Sequence, residues 1–155
     1  MAIDAKPILA GVAAIAVALS PAVRIFLTED AGKLSEYQAQ CNTLHAVHTV
    51  EMANLGVFFK AGESLRSPWQ AAEYARRGVG VANSLHTKSL AYDQFVLVNK
   101  MVDGIQEFQV SMNPADYKLA GEKWEQLGKK YGIPTAWGGR FNDAVHFSCE
   151  YQGIK

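Results

Sequence analysis

Charge is the first thing this sequence is short of. Only 19% of its residues are charged, and fifteen Lys and Arg offset fifteen Asp and Glu. A net charge of zero gives no long-range field to gather nucleic acid, so no nucleic-acid partner is expected. Cysteine is also scarce. Cys41 and Cys149 are the only two, which excludes a disulfide framework and allows one bridge at most; two thiols that merely pack are the expectation. Internal repeats are absent, which excludes solenoids and propellers. What remains is a 155-residue chain that is 49% hydrophobic. That composition excludes a disordered tail and suffices for one domain with its own core.

The N-terminus differs from the rest. Lys6 and Arg24 bracket residues 7–23, which carry no charge. As a helix this stretch spans about 26 Å, the short limit for a bilayer. Its alanines, with Gly11, Ser20 and Pro21, make it weakly apolar. It reads as an export or signal-anchor segment over residues 1–27 that associates with the membrane through 7–23; the alternative is a buried N-terminal helix. Residues 28–33 are polar and read as a linker.

From Leu34 to Leu55 the apolar positions Leu34, Tyr37, Cys41, Leu44, Val47 and Met52 share one helix face, with Ser35 as the expected N-cap. His45 and His48 lie three apart on this helix, but no third metal ligand stands nearby, so they read as ordinary helix positions. Gly56 ends the helix, and Val57 to Phe59 reads as a short strand. Ser67 caps a second helix with Pro68 at its first position, running to Arg77. Residues 78–83 form a glycine-containing loop. Leu90 to Val98 is rich in strand formers, and Asp103-Gly104 marks a hairpin turn. Pro114 to Lys130 reads as a helix closed by Gly132, Gly138-Gly139 as a turn, and Val145 to Tyr151 as a final strand. The fold class is α+β, with a small, mostly antiparallel sheet flanked by helices.

Three local patterns carry chemistry: Gly62-Glu63-Ser64-Leu65-Arg66, then Ser84-Leu85-His86 followed by Asp93, then Trp137-Gly138-Gly139 followed by Asp143 and His146. Strand alternation puts Ala91, Asp93, Phe95 and Leu97 on one face. A carboxylate on an apolar strand is costly unless it is paired or binds a cation. If the strands holding Asp93 and His146 are neighbours, His86, Asp93 and His146 converge. Two imidazoles and one carboxylate with a fourth position open is the catalytic zinc arrangement. Asp143, three residues before His146, stands where a general base belongs. No carboxylate pair reads as a glycosidase acid and nucleophile, and no Ser or Cys nucleophile pattern is present.

Taken together and in this order, the three patterns resemble the zinc D-alanyl-D-alanine carboxypeptidase and L-alanyl-D-glutamate endopeptidase family, the VanY-like group that includes many phage endolysins. The resemblance covers roughly residues 34 to 155. It implies a single zinc-peptidase domain there, with His86, Asp93 and His146 as zinc ligands and Asp143 as the catalytic base. Arg66 would bind substrate and stabilise the developing oxyanion; the alternative for Arg66 is a surface pairing with Glu63. Ser84, Gln70 and Trp137 would support or contact the substrate, a peptidoglycan stem peptide. Two departures bear on substrate preference. Ser89 stands where many members have Gly, so the loop after His86 is expected to avoid positive φ there. Arg140 replaces an acidic residue often seen after Gly-Gly. An Asp as base is closer to the endopeptidases than to the carboxypeptidases. The alternatives are a D-alanyl-D-alanine carboxypeptidase, or an inactive cell-wall-binding or virion module on the same fold. A bacterial protein with this substrate would be made in the cytoplasm and act in the periplasm or cell wall.

Overall fold

The computed structural model describes residues 20–28 and 32–155. The apolar stretch read as an export segment lies largely outside them. No helix among the described residues is long and apolar enough to cross a membrane. The first helix among the described residues, α1 (Pro21–Thr28), packs Leu27 into the core at 1% exposure.

Helix α2 (Leu34–Asn54) buries Cys41, Leu44, Val47 and Met52, the stripe read from the periodicity. Its N-cap is Lys33 rather than Ser35. The Glu36 carboxylate folds back to accept from the Lys33 N–H at 3.1 Å, satisfying a backbone donor at the helix start. Strand β1 (Phe58–Ala61) follows, then α3 (Pro68–Arg76). The α3 N-terminus is a full capping box. Ser67 Oγ accepts from Gln70 N at 3.1 Å and Gln70 Oε1 accepts from Ser67 N at 2.9 Å.

Strand β2 (Ala91–Val102) extends beyond Val98. It turns at Asp103 (φ 49°) and Gly104 (φ 79°) into β3 (Ile105–Val110). Two consecutive positive φ values make the type I′ geometry that suits a two-residue hairpin. The helix expected from Pro114 begins as a 3-10 turn, Pro114–Tyr117, and becomes α4 (Lys118–Tyr131), capped by left-handed Gly132. Strand β4 (Thr135–Trp137) leads into a 3-10 turn, Gly138–Phe141, where a simple turn was expected, and β5 (His146–Cys149) is shorter than the stretch 145–151.

All pairings are antiparallel. The order is β1-β2-β5-β4, with β3 paired to the far half of β2. Helices α2 and α4 cover one face. Tyr92, Gln94 and Val96 of β2 are buried there; Tyr92 stacks on His45 with ring centroids 4.0 Å apart. Trp124 of α4 meets Phe147 of β5 edge-on at 6.4 Å. Asp93, Phe95 and Leu97 occupy the opposite, half-open face.

Cys41 and Cys149 form a disulfide instead of two packed thiols. One lies on the buried stripe of α2 and the other beside Phe147 on the core side of β5, with Cα atoms 6.1 Å apart. That separation is within the range a bridge spans. Nothing local in the sequence shows this contact, because 108 positions separate the two.

Candidate metal centre

Each side chain of the site is placed by a neighbour that points into the core. Leu85 and Leu90 are buried at 1% and 0% exposure. Between them the chain forms a 3-10 turn, Leu85–Lys88, capped by Ser84, whose Oγ accepts from His86 N at 3.3 Å. With the leucines inward, His86 faces the open side of the sheet. The reversal into β2 puts Ser89 at φ 52°, ψ 39°. The expectation that Ser89 avoids positive φ is therefore wrong. The N–H groups of Ser89 and Leu90 donate to the carbonyls of His86 (3.3 Å) and Leu85 (3.1 Å), and these bonds hold a left-handed residue that costs about 1–2 kcal/mol.

The β2–β5 register pairs Asp93 with His146 and, one step on, Tyr92 with Phe147. Tyr92 and Phe147 pack inward, so Asp93 and His146 project together on the other side. His86 Nε2 lies 3.2 Å from His146 Nδ1 and 3.3 Å from Asp93 Oδ1, and His146 Nδ1 lies 3.4 Å from Asp93 Oδ1. The three donor atoms form a nearly equilateral triangle. Ligands about 2.0–2.1 Å from a tetrahedral ion lie about 3.3–3.4 Å from one another. The donor set and its spacing therefore fit a divalent ion held by two imidazoles and one carboxylate. Among the described residues this is the one such cluster.

The electrostatics agree. Burial pushes Asp93 upward, but hydrogen bonds from His146 and His86 outweigh it, and the net pKa is about 2. Asp93 is thus an anion throughout the neutral range. Asp143 is exposed, yet crowding by surrounding protein raises its pKa above the usual carboxylate value. His146, His86 and Arg66 pull it down, and Asp93 adds to the rise. A base near these groups with a raised pKa suits proton transfer near neutral pH.

Arg66 does pair with Glu63, but not as a surface pair: its side chain keeps 11% exposure. Its Nη1 donates to Ser84 Oγ at 3.4 Å, and its guanidinium lies 4.8 Å from the centre of the Tyr74 ring. Trp137 is buried, and its Nε1 donates to Ala144 O at 2.9 Å, which ties the Gly-Gly turn to the segment before His146. Gly138 has no room for a side chain, since a Cβ would stand 2.8 Å from the His146 Cβ. Gln70 is exposed and engaged in the α3 capping box. Arg140 donates to Glu125 at 2.8 Å and lies over Trp137. His45 and His48 stay apart from the triangle. His48 Nε2 sits 2.9 Å from Ala120 O, and burial lowers both pKa values to about 4.

Two neighbours of the site escaped the sequence reading. Tyr74 packs on Arg66, and half-exposed Phe141 stands 6.3 Å, ring to ring, from His146. An aromatic residue in the Trp-Gly-Gly turn was the available signal for Phe141.

No family model matches the chain, and no curated protein does. Among solved structures, the chain is similar to the crystal structure of the Serratia marcescens L-Ala D-Glu endopeptidase ChiX. The two are 23% identical, the match covers 74% of this chain and 79% of that one, and the TM-score is 0.52. The likeness establishes a shared fold.

Proposed function

We propose that the protein is a zinc peptidase that hydrolyses peptidoglycan stem peptides, as an L-alanyl-D-glutamate endopeptidase of the phage-endolysin type. The observation that carries the reading is the triangle of His86 Nε2, Asp93 Oδ1 and His146 Nδ1, with Asp143 and Arg66 within electrostatic reach of it. The fold shared with an L-Ala D-Glu endopeptidase supports it.

A zinc ion held there supplies Lewis acidity and lowers the pKa of water. The chain's own residues do the rest. Asp143 takes the proton from the attacking water and returns it to the leaving amine, so one water is consumed and one new amino terminus appears. Arg66 offers its positive edge to the carbonyl oxygen as charge develops on it. Ser84 buttresses both sides, accepting from Arg66 and from the His86 backbone. Trp137 steadies the turn before His146 through its bond to Ala144 O.

The substrate lies outside the cytoplasm, and residues 7–23 are proposed to carry the protein there. The Cys41–Cys149 bond supports export, because such bonds persist in oxidising compartments. Fractionating cells that make the full chain or a chain starting at residue 28 tests this: only the full chain is expected in the membrane or periplasm.

Mass spectrometry of digested peptidoglycan tests the chemistry. Cleavage between L-alanine and D-glutamate is the expected result. Loss of a single terminal D-alanine would assign the carboxypeptidase alternative. Reducing sugar without new amino termini would contradict a peptidase altogether.

A further inference from the structure

We infer that Glu63 is a positioning residue that sets the reaction rate by holding the Arg66 guanidinium relative to the metal ligands; this rests on the function proposed above. The segment from Glu63 to Arg66 is sewn to two ligands through its backbone. Asp93 N donates to Glu63 O at 2.8 Å, and Gly62 N donates to Asp93 O at 2.8 Å. Arg66 N donates to His86 O at 3.1 Å. Each end of this four-residue segment is thus fixed to a different ligand of the triangle.

Across that span the Glu63 carboxylate receives one edge of the guanidinium. Nε donates to Oε2 at 2.8 Å, and Nη2 donates to the same oxygen. Ser84 Oγ takes Nη1, and Tyr74 covers one face. A guanidinium has five N–H donors. Three are occupied by the protein, which leaves one on each terminal nitrogen for a substrate oxygen. Ser84 engages only one terminal nitrogen, through a 3.4 Å bond, and Tyr74 only one face. Glu63 grips the Nε–Nη2 edge, and it does so from a backbone position locked to Asp93. The cost is partial neutralisation of the charge. A donor to a developing oxyanion must reach within 2.7–3.1 Å of it, so placement is worth more here than undiminished charge.

Glu63→Gln keeps the size of the side chain and removes its charge. In zinc-loaded protein we expect kcat to fall roughly 10- to 100-fold, the scale of a small misplacement, with KM nearly unchanged. A purely structural pairing would lower the melting temperature and leave kcat alone. Chemical rescue gives an independent readout. Millimolar guanidinium chloride should restore part of the activity of Arg66→Ala, because Glu63 docks the free ion. It should restore none in Arg66→Ala/Glu63→Gln. Glu63→Asp, which keeps the charge on a shorter arm, should fall between wild type and Glu63→Gln. Unchanged kcat in Glu63→Gln, or equal rescue with and without Glu63, overturns the inference while the peptidase reading stands. Wild-type protein that releases no amino termini from peptidoglycan overturns both.

Discussion

Asp93 and His146 are direct cross-strand partners, and their donor atoms meet 3.4 Å apart on the open face of the sheet. Their chain neighbours Tyr92 and Phe147 are also partners, on the opposite face, where Phe147 is fully buried. A slip of β5 by one residue would turn His146 to the buried face and bring Val145 or Phe147 beside Asp93. Core packing therefore sets the geometry of the His86, Asp93 and His146 triangle. Phe147→Ala is expected to cost about 3–5 kcal/mol of stability and to weaken metal affinity, although residue 147 touches no metal. Urea unfolding together with competition against a zinc chelator measures both. Unchanged zinc affinity in a destabilised variant would contradict the coupling.

The disulfide joins α2 to the strand that carries His146 and closes a loop of 108 positions. A loop near 100 residues is worth about 4–5 kcal/mol on the chain-entropy scale. Cys41→Ser/Cys149→Ser should lose stability of that order in denaturant. Because both cysteines are buried, a thiol reductant should attack only as fast as the native chain opens. Rapid reduction of fully native protein would contradict the burial.

Acid should destabilise the fold through the buried histidines. His45 and His48 have folded pKa values of about 4 against 6.5 in model peptides, with burial as the main cause. Above pH 6.5 neither state takes a proton on them. Between 6.5 and 4 the unfolded chain binds protons that the folded chain refuses, so stability falls as pH falls. Each histidine contributes about 1.4 kcal/mol per pH unit across that window. The Asp93 contribution behaves differently: it is present above about pH 4 and disappears toward pH 2. Unfolding of metal-free protein from pH 7 to 4.5 should show a steeper slope in wild type than in His48→Gln. Equal slopes would contradict the assignment.

Gly121 sits inside α4 with its Cα against the Trp137 ring. Alanine there gains about 1 kcal/mol in helix propensity. Its methyl would overlap a rigid buried indole, and overpacking costs about 1–3 kcal/mol. The clash is expected to win, with a melting temperature several degrees lower in Gly121→Ala. A rise would mean Trp137 has room to move.

Much of this was legible in the sequence because it is local. The α2 stripe, the Ser67 cap, the Asp103-Gly104 hairpin and the Gly132 cap each depend on residues within a few positions of one another. The triangle was legible conditionally: alternation gave the face of Asp93, and only strand pairing could bring His146 to it. The disulfide was not legible, since a helix stripe and a distant strand meet through tertiary packing alone. Ser89 was misread because its left-handed backbone is held by bonds to His86 and Leu85, which its identity does not announce. Lys33 displaced Ser35 as the cap because Glu36 reaches back, a choice that depends on where the helix starts. The Glu63–Arg66 pair was visible as a spacing, but its half-buried place against Asp93 and His86 was not.

Zinc content and turnover, measured side by side in three purified variants, test the centre of this account. The His86→Ala and Asp143→Ala proteins should separate metal binding from proton transfer. His86→Ala should hold no zinc and show no release of amino termini from peptidoglycan. Asp143→Ala should hold about one zinc per chain with a rate lower by roughly 100- to 10,000-fold. His45→Gln should match wild type in zinc content. Zinc retained in His86→Ala, or lost in Asp143→Ala, would contradict the assignment of ligands and base.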